Sequence, residues 1–237
     1  MESNLAERKE KGLTASTIKW IAIITMFIDH ATVNFMEKAY PQLMEDTSMM
    51  ILYFILREIG RLAFPIFCFF IVEGAVHTKN IKKYLFRLFI FGLISEIPFD
   101  LVLFDKCFDW SYQNVYFTMF FGLLAIVCMQ RWKHNWFGQM VCVFSMFILA
   151  DLLRTDYGGA GVLLIVVFYV LREQEKYRVI FGSIVEVGFM GILEIGAVFA
   201  FIPLHFYNGQ RGKQNKYMFY LFYPLHLLLL LGIRGCL

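Results

Sequence analysis

Long apolar stretches, broken by short clusters of charge, set the pattern of this chain. From Ser16 to about Phe35 the run IKWIAIITMFIDHATVNF is almost uninterrupted, with Thr14 or Ser16 placed to cap a helix and Lys19 and His30 among its polar exceptions. A second run covers roughly Arg61–Val76 and begins as early as Met50 if Pro65 only kinks it. Further runs extend from Tyr84 to about Leu103, bent or ended near Pro98, then over Gln113–Met129, Trp136–Leu153, Tyr157–Leu171, Val179–Phe201 and Tyr217–Ile233. A bilayer needs roughly 17–25 residues per helix, so these runs predict an all-α, polytopic transmembrane helical bundle of about eight spans.

Composition agrees with that pattern. The 237 residues are 59% hydrophobic, 18% aromatic and only 17% charged, too little polar surface for a water-soluble domain of this size. No linker, repeat or low-complexity tract divides the sequence, so residues 1–237 read as a single domain. The opening residues are polar and charged, and no cleavage site follows the first apolar run, which is expected to be retained.

Charge then adds orientation. Arg8, Lys9, Lys11 and Lys19 precede or open the first run; Lys79, Lys82 and Lys83, then Arg131 and Lys133, then Arg172, Lys176 and Arg178 fill alternate loops. The positive-inside rule places these in the cytoplasm, with the N-terminus, in a multi-pass protein of the cell membrane. Arg211, Lys213 and Lys216 break the rule, because eight spans put them outside. A net charge of +3 without a basic face gives no support for a nucleic-acid partner. The five cysteines show no metal-like spacing with histidine, and no metal is expected.

Candidate chemistry lies in ionisable groups at membrane depth, which are costly there and read as functional by default. Arg57, Arg61, Glu73, His77, Glu96 and Asp100 form a charged hairpin inside Phe-, Ile- and Leu-rich sequence. Lys19 and His30 are eleven positions apart, which is close to three helical turns, so both fall on one face at roughly 16 Å. That suits a long donor with a phosphate-rich head and a reactive far end, such as acyl-coenzyme A. Asp29 adjoins His30 but points about 100° away, so a carboxylate such as Glu73 on a facing helix is the better-placed orienting group. Lys83 and Arg87 belong to a basic patch that fits anionic lipid or nucleotide phosphates. His226, beside Tyr223 and Pro224, and Glu186 and Glu194 add further buried polarity. Hydrolase, Walker, dinucleotide and zinc-protease motifs are absent.

The strings ITMFIDH, GRLAFPIFCFFIVEGAVHT, YLFRLFIFGLISEIPFDL, QNVYFTMFFGLL, DYGGAGVLL and FYPLHL, spread over nearly the whole chain, resemble the TraX family. That family is associated with N-terminal acetylation of pilin and is similar to the multi-span acyltransferase-3 proteins. The latter resemblance implies Lys19 and His30 as a paired basic residue and histidine of the first span, and Lys83 with Arg87 as a basic pair with one extra residue of spacing. The expected activity is transfer of an acetyl group from acetyl-CoA, the donor substrate, to an amine or hydroxyl acceptor: a pilin, a surface glycan, a lipid or a small amine. In that reading His30 is the general base, Glu73 or Asp29 orients it, and Arg61 stabilises the oxyanion. Lys19, Lys83 and Arg87 hold the donor, and Arg57, His77, Glu96, Asp100, Gln113, Asn114 and His226 line the cavity. The alternatives are a small-solute or proton-coupled transporter and a non-enzymatic assembly factor.

Overall fold

The computed structural model describes residues 12–213 and 215–236. Its helices, in chain order, are α1 (Ala15–Thr32), α2 (Thr47–Arg61), α3 (Ala63–His77), α4 (Ile81–Leu103), α5 (Val115–Arg131), α6 (Trp136–Leu152), α7 (Gly158–Val170), α8 (Glu175–Phe189), α9 (Phe201–His205) and α10 (Lys216–Gly235). Wider π turns over Val33–Ala39 extend α1, and 3-10 segments cover Pro41–Glu45 and Ile192–Ala200. Among the described residues, strand pairing is confined to isolated bridges of Leu13 with Tyr207 and Gln113 with Thr155, so the all-α expectation holds. Thr47–His77 and Tyr217–Gly235 are long and apolar enough to cross a membrane, whereas Val115–Arg131, Trp136–Leu152, Gly158–Val170 and Ile192–His205 are apolar but shorter.

Packing divides the chain into two compact units, the first made of residues up to Phe67 together with those from Leu193 onward, the second of Cys68–Ile192. In the first, α1 packs on α2 and on α10. Thr14 caps α1 by accepting the Thr17 N–H at 3.3 Å, as its position ahead of the apolar run predicts. Ile18, Ala22 and Ile23 are buried on its inner face while Trp20 and Ile24 point outward. Gly60 lets α2 approach closely, because a Cβ there would overlap the side chain of Asp29.

The second unit centres on α5, α6 and α7, which pack mutually around Phe121, Ala125, Ala150, Val162 and Val166, with α4 against α5 and α8 against α7. On α6 the outward stripe is apolar: Phe137, Met140, Phe144 and Ile148 are exposed at helical spacing. Such a face is disfavoured in water and is suited to lipid.

Three sequence expectations are sharpened or changed. Only Leu62, itself helical in backbone, separates α2 from α3, so the helix expected over Arg61–Val76 does extend back past Met50 and Thr47–His77 forms one apolar helical stretch. Pro65 falls in the first turn of α3, where its missing N–H has no intrahelical acceptor to lose. The run expected as one span over Val179–Phe201 is divided: α8 ends at Phe189, Gly191 adopts φ +109, and a 3-10 segment follows. Only glycine enters that backbone region without steric cost.

The third change concerns the loop that carries Arg211 and Lys213. It folds onto the start of α1: Leu13 N–H donates to the Phe206 carbonyl at 2.7 Å, Ala15 to Gln210 at 2.8 Å and Ser16 to Arg211 at 3.1 Å. The Ser16 hydroxyl donates to the Lys213 carbonyl at 2.8 Å. The loop and the start of α1 therefore lie together, whereas the expected eight spans put them on opposite sides. Arg8, Lys9 and Lys11 lie outside the described residues, and so does the side chain of Lys216.

Candidate active site

Polar groups converge within the first unit where α1, α2, α10 and the segment after Ile192 meet. His30, near the end of α1, shares a 2.6 Å hydrogen bond between its Nδ1 and the Nε2 of His226 on α10. The rings are parallel to within 8°, and their centroids lie 4.9 Å apart. That separation exceeds the N···N distance by no more than the two ring radii, so the imidazoles meet edge to edge in one plane, the geometry of a directed hydrogen bond. Tyr223 presents its ring to both histidines.

One residue earlier on α1, Asp29 receives a hydrogen bond from Arg57 Nη1 at 2.6 Å. A turn further along α2, Arg61 Nη1 pairs with Glu194 Oε1 at 3.2 Å. Glu58 accepts the Gly196 N–H at 2.6 Å, which ties α2 to the 3-10 segment. Asn34, fully buried in the π turns that extend α1, donates to the Leu230 carbonyl at 3.0 Å. The arginines at i and i+4 thus each meet a carboxylate from another part of the chain, which satisfies charge in a region of low polarity. At the opposite end of α1, Lys19 lies 5.4 Å from the Phe219 ring centroid.

The structure therefore brings His30, Asp29, Arg57, Arg61 and His226 into one cluster, with Lys19 on the same helix. The partner of the His30 ring is His226, and Asp29 is engaged by Arg57, in keeping with its direction around the helix. Glu58 and Asn34 were missed. A carboxylate inside MILYFILREIG signals the first, and the i, i+4 spacing from His30 signals the second.

The remaining candidates belong to the second unit. Glu73 and His77 are one turn apart on α3; His77 Nδ1 lies 3.9 Å from the Glu73 carboxylate and 2.9 Å from the Glu73 carbonyl. Lys83 is exposed and Arg87 stacks over the Tyr84 ring at 5.4 Å. Glu96 and Asp100 are buried on α4, where Glu96 accepts from the Asn114 side chain and Asp100 from the Asp109 N–H at 2.7 Å. Asn114 also caps α5, and the Gln113 side chain donates to the Trp110 carbonyl at 3.1 Å. Among the described residues no group of three or more His, Cys, Asp or Glu side chains is arranged to hold a metal ion.

An all-helical chain with helices able to cross a membrane, carrying a paired histidine beside two arginine–carboxylate pairs, defines a membrane-associated protein with an internal polar cluster. The family model described as TraX protein matches residues 14–234, and the chain belongs to the TraX family. It is similar to the probable fimbrial assembly protein FimC, serogroup H1, of Dichelobacter nodosus, with 31% identity across 92% of this chain and 94% of that protein. It also resembles an uncharacterized protein of Rickettsia prowazekii (strain Madrid E), with 27% identity across 81% of this chain and 68% of that one. No solved structure matches.

Proposed function

We propose that this TraX-family chain is a membrane-embedded acetyltransferase that accepts acetyl-CoA from the cytoplasm and acetylates an amine or hydroxyl. The pilin N-terminus is the leading acceptor, since the family is associated with pilin acetylation and the FimC relative is named for fimbrial assembly. The observation that carries the reading is His30: one ring nitrogen is held by His226 and the other makes no hydrogen bond among the described residues. A histidine so placed can take the acceptor's proton. The acceptor's electron pair then forms the new bond to the thioester carbon, the carbon–sulfur bond breaks, and coenzyme A leaves as thiolate. Arg61 or Arg57 supplies positive charge for the tetrahedral oxyanion. Lys19 meets the donor's phosphates near the cytoplasmic end of α1. The likeness to acyltransferase-3 proteins supports the same assignment of Lys19 and His30.

Loop charge and the pairing of Leu13 to Ser16 with the loop before α10 support one arrangement in the membrane. With the division at Gly191, nine passes place every cluster of Lys and Arg in connecting loops, including Arg211 and Lys213, on the cytoplasmic side. The short apolar helix α7 has most of its residues buried against its neighbours.

The test is acetyl transfer by the purified full-length chain in detergent, with radiolabelled acetyl-CoA and a peptide bearing a free pilin-like N-terminus. Coenzyme A release that requires His30 and is lost in His30→Ala supports the proposal. Absence of donor binding and release with amine, glycan and lipid acceptors alike rejects it, and solute-dependent proton flux in liposomes would then favour a transporter.

A further inference from the structure

We infer that His226 is a positioning residue that holds the proton of His30 on Nδ1 and so leaves His30 Nε2 as the basic nitrogen. The catalytic meaning of this rests on the acetyltransferase reading; the hydrogen-bond argument does not.

His226 is 3% exposed, and each of its ring nitrogens has a partner. Its Nδ1 lies 2.8 Å from the carbonyl oxygen of Phe222, one turn back on α10. A carbonyl only accepts, so Nδ1 carries a proton. In a neutral imidazole the other nitrogen then has a bare lone pair, and His226 Nε2 is an acceptor. The group 2.6 Å away is His30 Nδ1, which must donate. With both rings neutral, the single proton of His30 is thereby assigned, and its Nε2 is left with the lone pair.

The rest of the pocket keeps His226 in this role. Its ring stacks on Phe222 at 4.7 Å between centroids and 9° between planes, and Tyr223 packs against it edge-on. The charged groups that act on the pair are Arg57 and Arg61 on α2, while Asp29 on α1 is turned away from the imidazole. Asp29 is taken up by Arg57, and Arg61 by Glu194. No carboxylate therefore hydrogen-bonds the His30 ring among the described residues; an imidazole fills the place a carboxylate takes in an acid–histidine pair.

In the transfer step the acceptor N–H or O–H bond breaks and its proton goes to His30 Nε2. The freed electron pair forms the bond to the acyl carbon, and the thiolate leaves with the carbon–sulfur pair. His30 becomes imidazolium without moving the proton it already holds, because Nδ1–H still donates to His226. The Nε2 proton then passes to the departing sulfur and restores the starting tautomer.

The experiment is nitrogen NMR of the full-length protein with labelled histidines, its five histidines assigned by single replacements, together with steady-state kinetics. Wild type is expected to show a protonated Nδ1 and an unprotonated Nε2 at His30, and the reverse pattern there overturns the inference. His226→Leu is expected to mix the His30 tautomers, lower kcat on the order of a hundredfold and shift the pH profile, with the KM for acetyl-CoA changed by no more than about twofold. His226→Gln, whose amide oxygen can still accept from Nδ1, is expected to restore most of the rate. A His226→Leu protein with unaltered His30 spectrum and kcat also overturns it. If wild type shows the expected tautomer yet transfers no acetyl group, the pairing is upheld and the acetyltransferase reading falls.

Discussion

Asp29 and Arg57 show how single residues set the terms of this site. Their side chains are largely shielded, at 14% and 21% exposure, and their 2.6 Å contact compensates two charges in a poorly polar setting. Removing one partner strands the other, which costs roughly 3 kcal/mol, whereas replacing both by apolar groups of similar size relieves most of the penalty. Arg57→Leu should therefore lower the thermal midpoint of the detergent-solubilised protein, and Asp29→Leu with Arg57→Leu should recover most of the loss. If the double replacement is no more stable than the single one, the pair has been misjudged as a compensated charge. At this scale the sequence is informative about position along one helix. Lys19, Asp29 and His30 could be placed on their faces by counting residues, and Asp29 was correctly turned away from the imidazole. The partnership of His30 with His226 was not legible, because it joins groups 196 positions apart and depends on how α1 meets α10.

Elements meet here through small residues and caps. Gly60→Ala puts a methyl group into the space of Asp29 and is expected to destabilise the chain by about 1–3 kcal/mol while disturbing the Arg57 contact. A thermal midpoint equal to wild type would mean that α2 can draw back without penalty. A second prediction concerns the loop after α4, outside the apolar spans. The Lys106 ammonium donates to Asp109 at 2.6 Å, and the Ser111 N–H donates to its other oxygen at 2.8 Å; together they hold the Asp109 carboxyl well below the usual carboxylate range. Reciprocally, Asp109 raises the pKa of Lys106. Since the Asp109 value is depressed on folding, its stabilisation is present above the unfolded carboxylate value, about 3.9, and disappears as pH falls through the folded one. Lys106 behaves oppositely: its contribution is present below the unfolded lysine value and is lost as pH rises through the folded one. Carbon NMR titration should find Asp109 still ionised near pH 3, and Lys106→Met should move its midpoint upward. Helix existence was readable from hydrophobic runs, but the break at Gly191 was not: it lies in the apolar run FMGIL, where periodicity gives no stop signal.

For the whole molecule, the prediction is one of sidedness. Cys107, in the loop after α4, and Cys236, after α10, are both exposed, while Cys68 is buried. In the proposed nine-pass arrangement both exposed thiols face outside, so an impermeant maleimide should label them on intact cells, with Cys107→Ser and Cys236→Ser assigning the signals. Eight passes would leave Cys236 unreactive until lysis. A single span over Val179–Phe201 puts Arg211 and Lys213 outside, against the charge rule, and the break at Gly191 supplies the alternative in which one further pass brings them to the cytoplasmic side. The clasp between Leu13 and the loop before α10, and the histidine pair beyond it, also have a consequence for synthesis. At a translation rate of about 5–20 residues per second, His226 emerges roughly 10–40 s after His30. During that interval the nascent chain has no completed histidine pair, so a chain arrested before α10 would carry α1 without the partner of His30.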